Sequence, residues 1–170
     1  MTEEQYEQLV NSDFVEQAGH RRIIGYASNT SSHSIEINYA DSVQQELTFC
    51  VPTHGAAPEK ANEIATTDLA LKALGVEPEI GAEVPLEFEL RGKTYHYDMV
   101  LSGWWEASND SVSVATVSEQ FIKENPDVVQ NTYAVDHEMS GVTFSDVVLK
   151  NKANVQQQLN EFVCSIGGTP

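Results

Sequence analysis

The run from Val84 to Leu101 constrains the fold most. Apolar and polar residues alternate on both sides of Gly92, which is the pattern of two half-buried strands joined by a tight turn. Glycine favours the first position of a type II′ turn, so Gly92-Lys93 is the expected two-residue loop. That register sets Leu90 opposite Tyr95, Phe88 opposite Tyr97, Leu86 opposite Met99 and Val84 opposite Leu101, with His96 opposite Glu89. Four apolar pairs then share one face. A three-residue loop would set Leu90 against Thr94 and scatter that face.

Helix signals flank the hairpin. Thr2-Glu3-Glu4-Gln5 has the form of a capping box, followed by the stripe Tyr6, Leu9, Val10 and stopped by Asn11-Ser12-Asp13. Thr67 can cap a short helix that Gly75 ends, and Ser118 another that Asn125-Pro126 terminates. Asn154 and Gln157 fit N-cap and N3 of a last helix whose stripe is Val155, Leu159, Phe162, Val163 and Ile166, closed by Gly167. Strands are expected at Arg22 to Tyr26, Ile35 to Tyr39, Thr132 to Met139 and Val142 to Leu149, and residues 52–63 read as a loop. Helices and strands alternate irregularly, which favours α+β over a doubly wound sheet.

The chain has 170 residues, 26 of them acidic and 9 basic, for a formal charge of −17. That balance argues against nucleic acid and anionic membranes as partners, because phosphates are held by clustered Lys and Arg. At 41% hydrophobic residues it can build a core, and its length fits one compact domain, in one or two lobes. No stretch approaches the roughly 18 apolar residues of a spanning helix. The opening MTEEQYEQ is acidic and polar, unlike a signal peptide, which taken literally is expected of a cytosolic chain and fits an excised segment equally.

No GxSxG, P-loop, HExxH or GxGxxG motif is present. Cys50 and His54 are four apart, but Pro52 between them prevents a helix from making a thiol–imidazole pair. Cys50 and Cys164 are expected to be free and at least half-buried, with one long-range disulfide as the alternative. Asp136, His137 and Glu138 are contiguous, so in a strand the imidazole points away from both carboxylates; His96 and Asp98 supply only two ligands. Asn109-Asp110-Ser111 lacks the rest of a calcium loop and reads as a turn. No metal or cofactor is expected. Trp104 and Trp105 are adjacent, so a strand sends one ring inward and the other toward solvent, where an indole can anchor a partner. Those two are the candidate contact residues, with core packing of one and edge cover by the other as the competing account.

The run Gly55 to Glu106 carries a resemblance. Pro58, Asn62-Glu63-Ile64, Leu74-Gly75, Ile80-Gly81-Ala82-Glu83-Val84 and Ser102-Gly103-Trp104, continued by Val114 to Glu119, resemble the extracytoplasmic domain of FtsX-like ABC transporter permeases of the MacB type. Ala82 and Glu83 depart from the Gly-Asp-like turn common there. The resemblance implies a two-lobed α+β domain on the extracytoplasmic face of the cell membrane. A porter-like α/β lobe would comprise about residues 1–50 plus 129–170, and a smaller, hairpin-containing lobe, about 51–128, would be inserted in it. It also implies no catalysis by this chain. The partners would be membrane helices of the same permease, separate cytoplasmic ATPase subunits, and a substrate or accessory protein. The first of those helices would direct export. A stand-alone secreted or cytosolic binding module is the second reading, and a small hydrolase using a carboxylate pair the third.

Overall fold

A computed structural model describes residues 1–30, 33–107 and 113–170. Local signals place most elements. Helix α1 (Glu3–Val10) opens on a complete capping box, in which Gln5 N–H donates to Thr2 Oγ1 (3.2 Å) and Thr2 N–H to Gln5 Oε1 (2.9 Å). Strands β1 (Val15–Tyr26) and β2 (Ile35–Ala40) follow, then α2 (Ser42–Leu47), capped by Asp41. The short β3 (His54–Gly55) and β4 (Glu63–Thr67) precede α3 (Asp68–Leu74), which Thr67 caps and Gly75 ends at φ 71°. Next come β5 (Glu83–Leu90), β6 (Lys93–Trp105) and β7 (Ser113–Val117), then α4 (Glu119–Glu124) under its Ser118 cap. The short α5 (Tyr133–Asp136), β8 (Thr143–Leu149) and α6 (Val155–Ser165) complete the chain.

The strands form one mixed sheet in the order β3-β6-β4-β7-β2-β1-β8, with β5 also paired to β6. Strands β1, β2 and β8 lie at one end and β3 to β7 at the other. The two groups meet at β2 and β7, which run parallel from Ile35 opposite Ser113 to Tyr39 opposite Val117. The architecture is α+β, as the irregular alternation of elements leads one to expect.

Alternation along β2 sends Ile35 and Ile37 to one face and Glu36 and Asn38 to the other. The apolar face joins the main core, with Ile64, Leu71, Leu86, Phe88 and Phe121. A second cluster, built on Leu9, Val15 and Leu149, is closed by Phe14, Leu159 and Phe162 from the chain's two ends.

On the opposite face a chain of polar contacts crosses three strands. The Arg21 guanidinium meets Glu36 (3.2 Å), Asn38 Nδ2 donates to Glu36 Oε1 (2.7 Å), and Thr116 Oγ1 donates to Asn38 Oδ1 (3.2 Å). Glu36, Asn38 and Thr116 are all buried. Helix α2 covers the neighbouring part of this face so closely that a Cβ at Gly19 would collide with the Gln44 backbone.

Four sequence expectations need correction. The hairpin turn is Arg91-Gly92, not Gly92-Lys93, so Leu90 faces Lys93, Phe88 faces Tyr95, Leu86 faces Tyr97 and Val84 faces Met99. Both turn residues have positive φ (50° and 72°), as in a type I′ turn. A slide of two residues leaves every side chain on its face, so alternation cannot distinguish these registers. The turn is held from outside. The Arg91 N–H donates to both Glu138 carboxylate oxygens (2.8 and 3.0 Å), and Arg91 Nη2 donates to the Asp127 carbonyl (2.8 Å). As a consequence His96 faces Glu87, not Glu89.

The run Thr132 to Met139 is not a strand. It carries α5, where Thr132 bonds Asp136 one turn on. Asn154 does stand at the N-cap of α6, but at φ 53° and without a side-chain capping bond, while Gln157 donates to Glu161 (2.8 Å). Finally, β1 has 12 residues, starting well before Arg22, because β8 pairs along its outer edge from Val15 to Arg22.

Two outcomes follow. Glu36→Ala leaves Arg21 and Asn38 without their shared acceptor and should lower stability by about 1–3 kcal/mol, read as a shifted urea midpoint at constant slope. The second concerns His20, whose ring packs on Tyr6 (centroids 4.8 Å apart). Burial, then the Arg22 charge, holds His20 below its ordinary pKa of 6.5. The folded chain therefore resists protonation that the unfolded chain accepts. This contribution is whole above the ordinary value and is lost as pH falls through the folded one. Between about pH 7.5 and about pH 5.5 the Tm of the native protein should fall relative to that of His20→Gln, and parallel curves would contradict the assignment.

Candidate functional site

The two tryptophans end β6. Trp105 is 5% exposed and Trp104 is half-buried against the main core. The cover over Trp104 comes from the segment before β4, which doubles back across β6. Thr53 N–H donates to the Trp104 carbonyl (3.1 Å) and Ala56 N–H to the Ser102 carbonyl (2.9 Å), while β3 pairs His54 with Trp104 and Gly55 with Gly103. Two glycines permit this approach. A Cβ at Gly103 would strike the Ala56 carbonyl and Pro52, and one at Gly55, where φ is +72°, would strike the Ser102 carbonyl.

The His54 ring lies flat on the Trp104 indole, with centroids 3.8 Å apart and planes within 8°. His54 Nε2 meets Glu106 Oε1 (3.3 Å), and Thr53 Oγ1 donates to Glu106 Oε2 (3.1 Å). The Glu106 backbone amide, then His54 and Thr53, hold that exposed carboxyl below its ordinary pKa. The result is an aromatic stack pinned by a carboxylate. The indole face that a partner would use is taken by the imidazole.

The other titratable groups singled out in the sequence are kept apart. The Cys50 thiol donates to the Thr48 carbonyl (3.4 Å), and burial pushes its pKa up, away from a nucleophilic thiolate. His54 faces Glu106 instead. Both cysteines are free; Cys50 is half-buried, while Cys164 is exposed, against the expectation that both would be covered. His96 bonds Asp98 (3.2 Å) on the exposed side of the hairpin. Asp136 bonds Thr132 and the Glu138 amide, Glu138 accepts from Arg91, and His137 turns its ring edge-on to Tyr133. Among the described residues no group of three or more His, Cys, Asp or Glu side chains converges on a metal position. Asn109-Asp110-Ser111 lies outside the described residues.

Sequence reasoning passed over the aromatic side chains that, among the described residues, do face solvent: Phe49, Tyr26, Tyr133 and Phe144. Phe49 follows α2, a helix with no apolar stripe because its inward side chains are Gln44 and Gln45. The Asp41 cap was the signal that could have revealed it, since its Oδ1 accepts from Gln44 N–H (2.8 Å).

No protein-family model matches the sequence, and no curated protein matches it. Solved structures do. The extracellular domain of the noncanonic ABC-type transporter YknZ from Gram-positive bacteria is similar over 99% of this chain and 86% of that one, at 14% identity and a TM-score of 0.61. The periplasmic region of MacB from Actinobacillus actinomycetemcomitans is similar over 98% of this chain and 74% of that one, at 11% identity and a TM-score of 0.56. A domain described as belonging to a permease protein from Porphyromonas gingivalis is similar over 93% and 67%, at 11% identity and a TM-score of 0.52. At these identities the likeness is one of fold: the chain folds as the extracellular and periplasmic domains of MacB-like ABC transporters do.

Proposed function

We propose that this chain is the extracytoplasmic domain of an ABC-type permease and performs no catalysis itself. The observation that carries the proposal is the YknZ extracellular domain, matched over nearly the whole of this chain. No helix among the described residues is long and apolar enough to cross a membrane. The membrane helices would belong to other parts of the same permease. ATP would be hydrolysed on separate cytoplasmic subunits, and the domain would bind a substrate or accessory protein or pass motion between it and the membrane.

Such coupling requires contacts that differ in strength between two conformations. The sheet order supports the two-lobe reading. Strands of residues 1–50 and 129–170 fill one end, strands of 51–128 fill the other, and β2 and β7 join them. Trp104 would offer its indole face to a partner only if His54 moved off it, so it serves best as a contact that opens with a conformational change, while Trp105 is buried.

Exposed Cys164 gives the test. In intact cells making the full-length protein, a membrane-impermeant maleimide should label it, and Cys164→Ser should remove the label. Labelling only after lysis would place the domain in the cytoplasm and overturn the proposal.

A further inference from the structure

A cleft of about 420 Å³ opens where α1, the middle of β1, the end of β2 and α4 come together. Strand pairing sets its floor. Arg22 on β1 lies opposite Tyr39 on β2, and His20, two residues before Arg22, points to the same face. Helix α1 reaches over that face, with the Tyr6 ring on His20 and the Tyr6 hydroxyl donating to Asp41 Oδ2 (3.2 Å). Glu119, Ile122 and Lys123 of α4 form the far wall. Tyr39 and Ile122 pack on the main core and Tyr6 on the second cluster, so the cleft lies between the two apolar clusters.

Hydrogen-bonding capacity is unmet there. Few buried side-chain polar atoms lack a partner among the described residues, and two of them, His20 Nδ1 and Arg22 Nε, belong to side chains lining this cleft. Unpaired buried polar atoms oppose folding, and native structures hold few of them. An arginine Nε is a donor only. Among the described residues, the one carboxylate within ion-pair range of Arg22 is Glu3, 3.9 Å from Nη2 and with its own side chain 87% exposed. So long a contact to a solvated group holds weakly. Arg22 is thus a half-buried guanidinium without a firm acceptor, in a chain with 26 acidic side chains. The acids sit toward the other side of the cleft as well. Tyr39, Asp41 and Glu119 also line a neighbouring cleft of about 450 Å³, so these two carboxylates stand where the clefts meet.

We propose that this cleft binds a small zwitterion, with a carboxylate at one end, an ammonium at the other and an apolar body between them. The carboxylate displaces Glu3, and a small turn of the Arg22 guanidinium brings Nε and one Nη to it together. The ammonium lies between Asp41 and Glu119, and the apolar body covers Tyr6, Tyr39 and Ile122. Local charge separates this class from its neighbours. The lining carboxylates of Glu3, Glu7, Asp41 and Glu119 oppose a ligand that is only anionic. A ligand that is only cationic leaves Arg22 Nε unpaired and sets its own charge beside the guanidinium. The volume falls within the range of small-molecule sites, roughly 300–1,000 Å³. The inference deepens the substrate-binding role proposed above and rests on it. Under the two-lobe division, the ligand touches α1, β1 and β2 of one lobe and α4 of the other.

The test is calorimetric titration of the domain with the tripeptide Leu-Ala-Leu in free, N-acetylated and C-amidated forms. At about pH 7 these are a zwitterion, an anion and a cation with one body. The free form should bind at least about tenfold more tightly than either blocked form. Arg22→Gln should cut the margin over the amide to about threefold or less and keep the margin over the acetylated form. Glu119→Gln, at an exposed position, should do the reverse. Glu3→Gln, which frees Arg22, should bind the free form at least as tightly as the native domain does. An amide or an acetylated form that binds as tightly as the free tripeptide would overturn the proposal. So would failure of all three to bind at millimolar concentration, or margins that survive the substitutions. Should Arg22→Gln not fold, Glu119→Gln and Glu3→Gln decide by the same criteria. The Cys164 labelling reads location alone, so failure of the tripeptide test with labelling intact removes this cleft and leaves the permease reading standing.

Discussion

The parallel pairing of β2 with β7 is the constraint on which the rest of the structure depends. It is the junction between strands from the two ends of the chain and strands from its middle. Its two faces do different work. The apolar side, with Ile35, Ile37, Ala115 and Val117, supplies bulk stability, since each large buried side chain contributes about 1.5–3 kcal/mol relative to exposure. The other side, from Arg21 through Glu36 and Asn38 to Thr116, contributes less in sum but specifies the register. A slip of one residue would turn Glu36 and Asn38 into the apolar core, where unpaired polar groups cost several kcal/mol.

This division bears on function. A seam packed on one face and hydrogen-bonded on the other resists shear, as the motion-passing role proposed above would require. The hairpin is fastened to the returning chain as well, since Arg91 at its tip bonds Glu138 and the Asp127 carbonyl, while Tyr95 donates to Asp127 (3.0 Å).

Much of the fold was legible where the physics is local. Thr2, Thr67 and Ser118 cap as their positions demand, and the Val84–Leu101 alternation marks a real hairpin. The hairpin register was hidden because period-two alternation tolerates a two-residue slide, and the deciding contacts come from Glu138 and Asp127, some 36 to 47 residues away. Helix α2 was invisible because it turns glutamines, not aliphatics, toward the sheet. Residues 132–139 carried strand-forming Thr, Tyr and Val, but the Thr132–Asp136 bond favours a helical turn. The site was less legible than the fold. Adjacent tryptophans stand out in a sequence, yet whether an indole faces a partner depends on a strand 50 residues earlier that lays His54 across it. Nothing local to Phe49 announces its exposure.

Native-state hydrogen exchange tests the central claim most directly, that the β2–β7 junction makes one cooperative body of the two strand groups. The account predicts that the slowest amides of β1, β2, β4 and β7 exchange with a common opening free energy equal to that of global unfolding. Protection of β4 and β7 that persisted while β1, β2 and β8 opened at a distinctly lower free energy would contradict it. The junction would then be a boundary between two independently opening units.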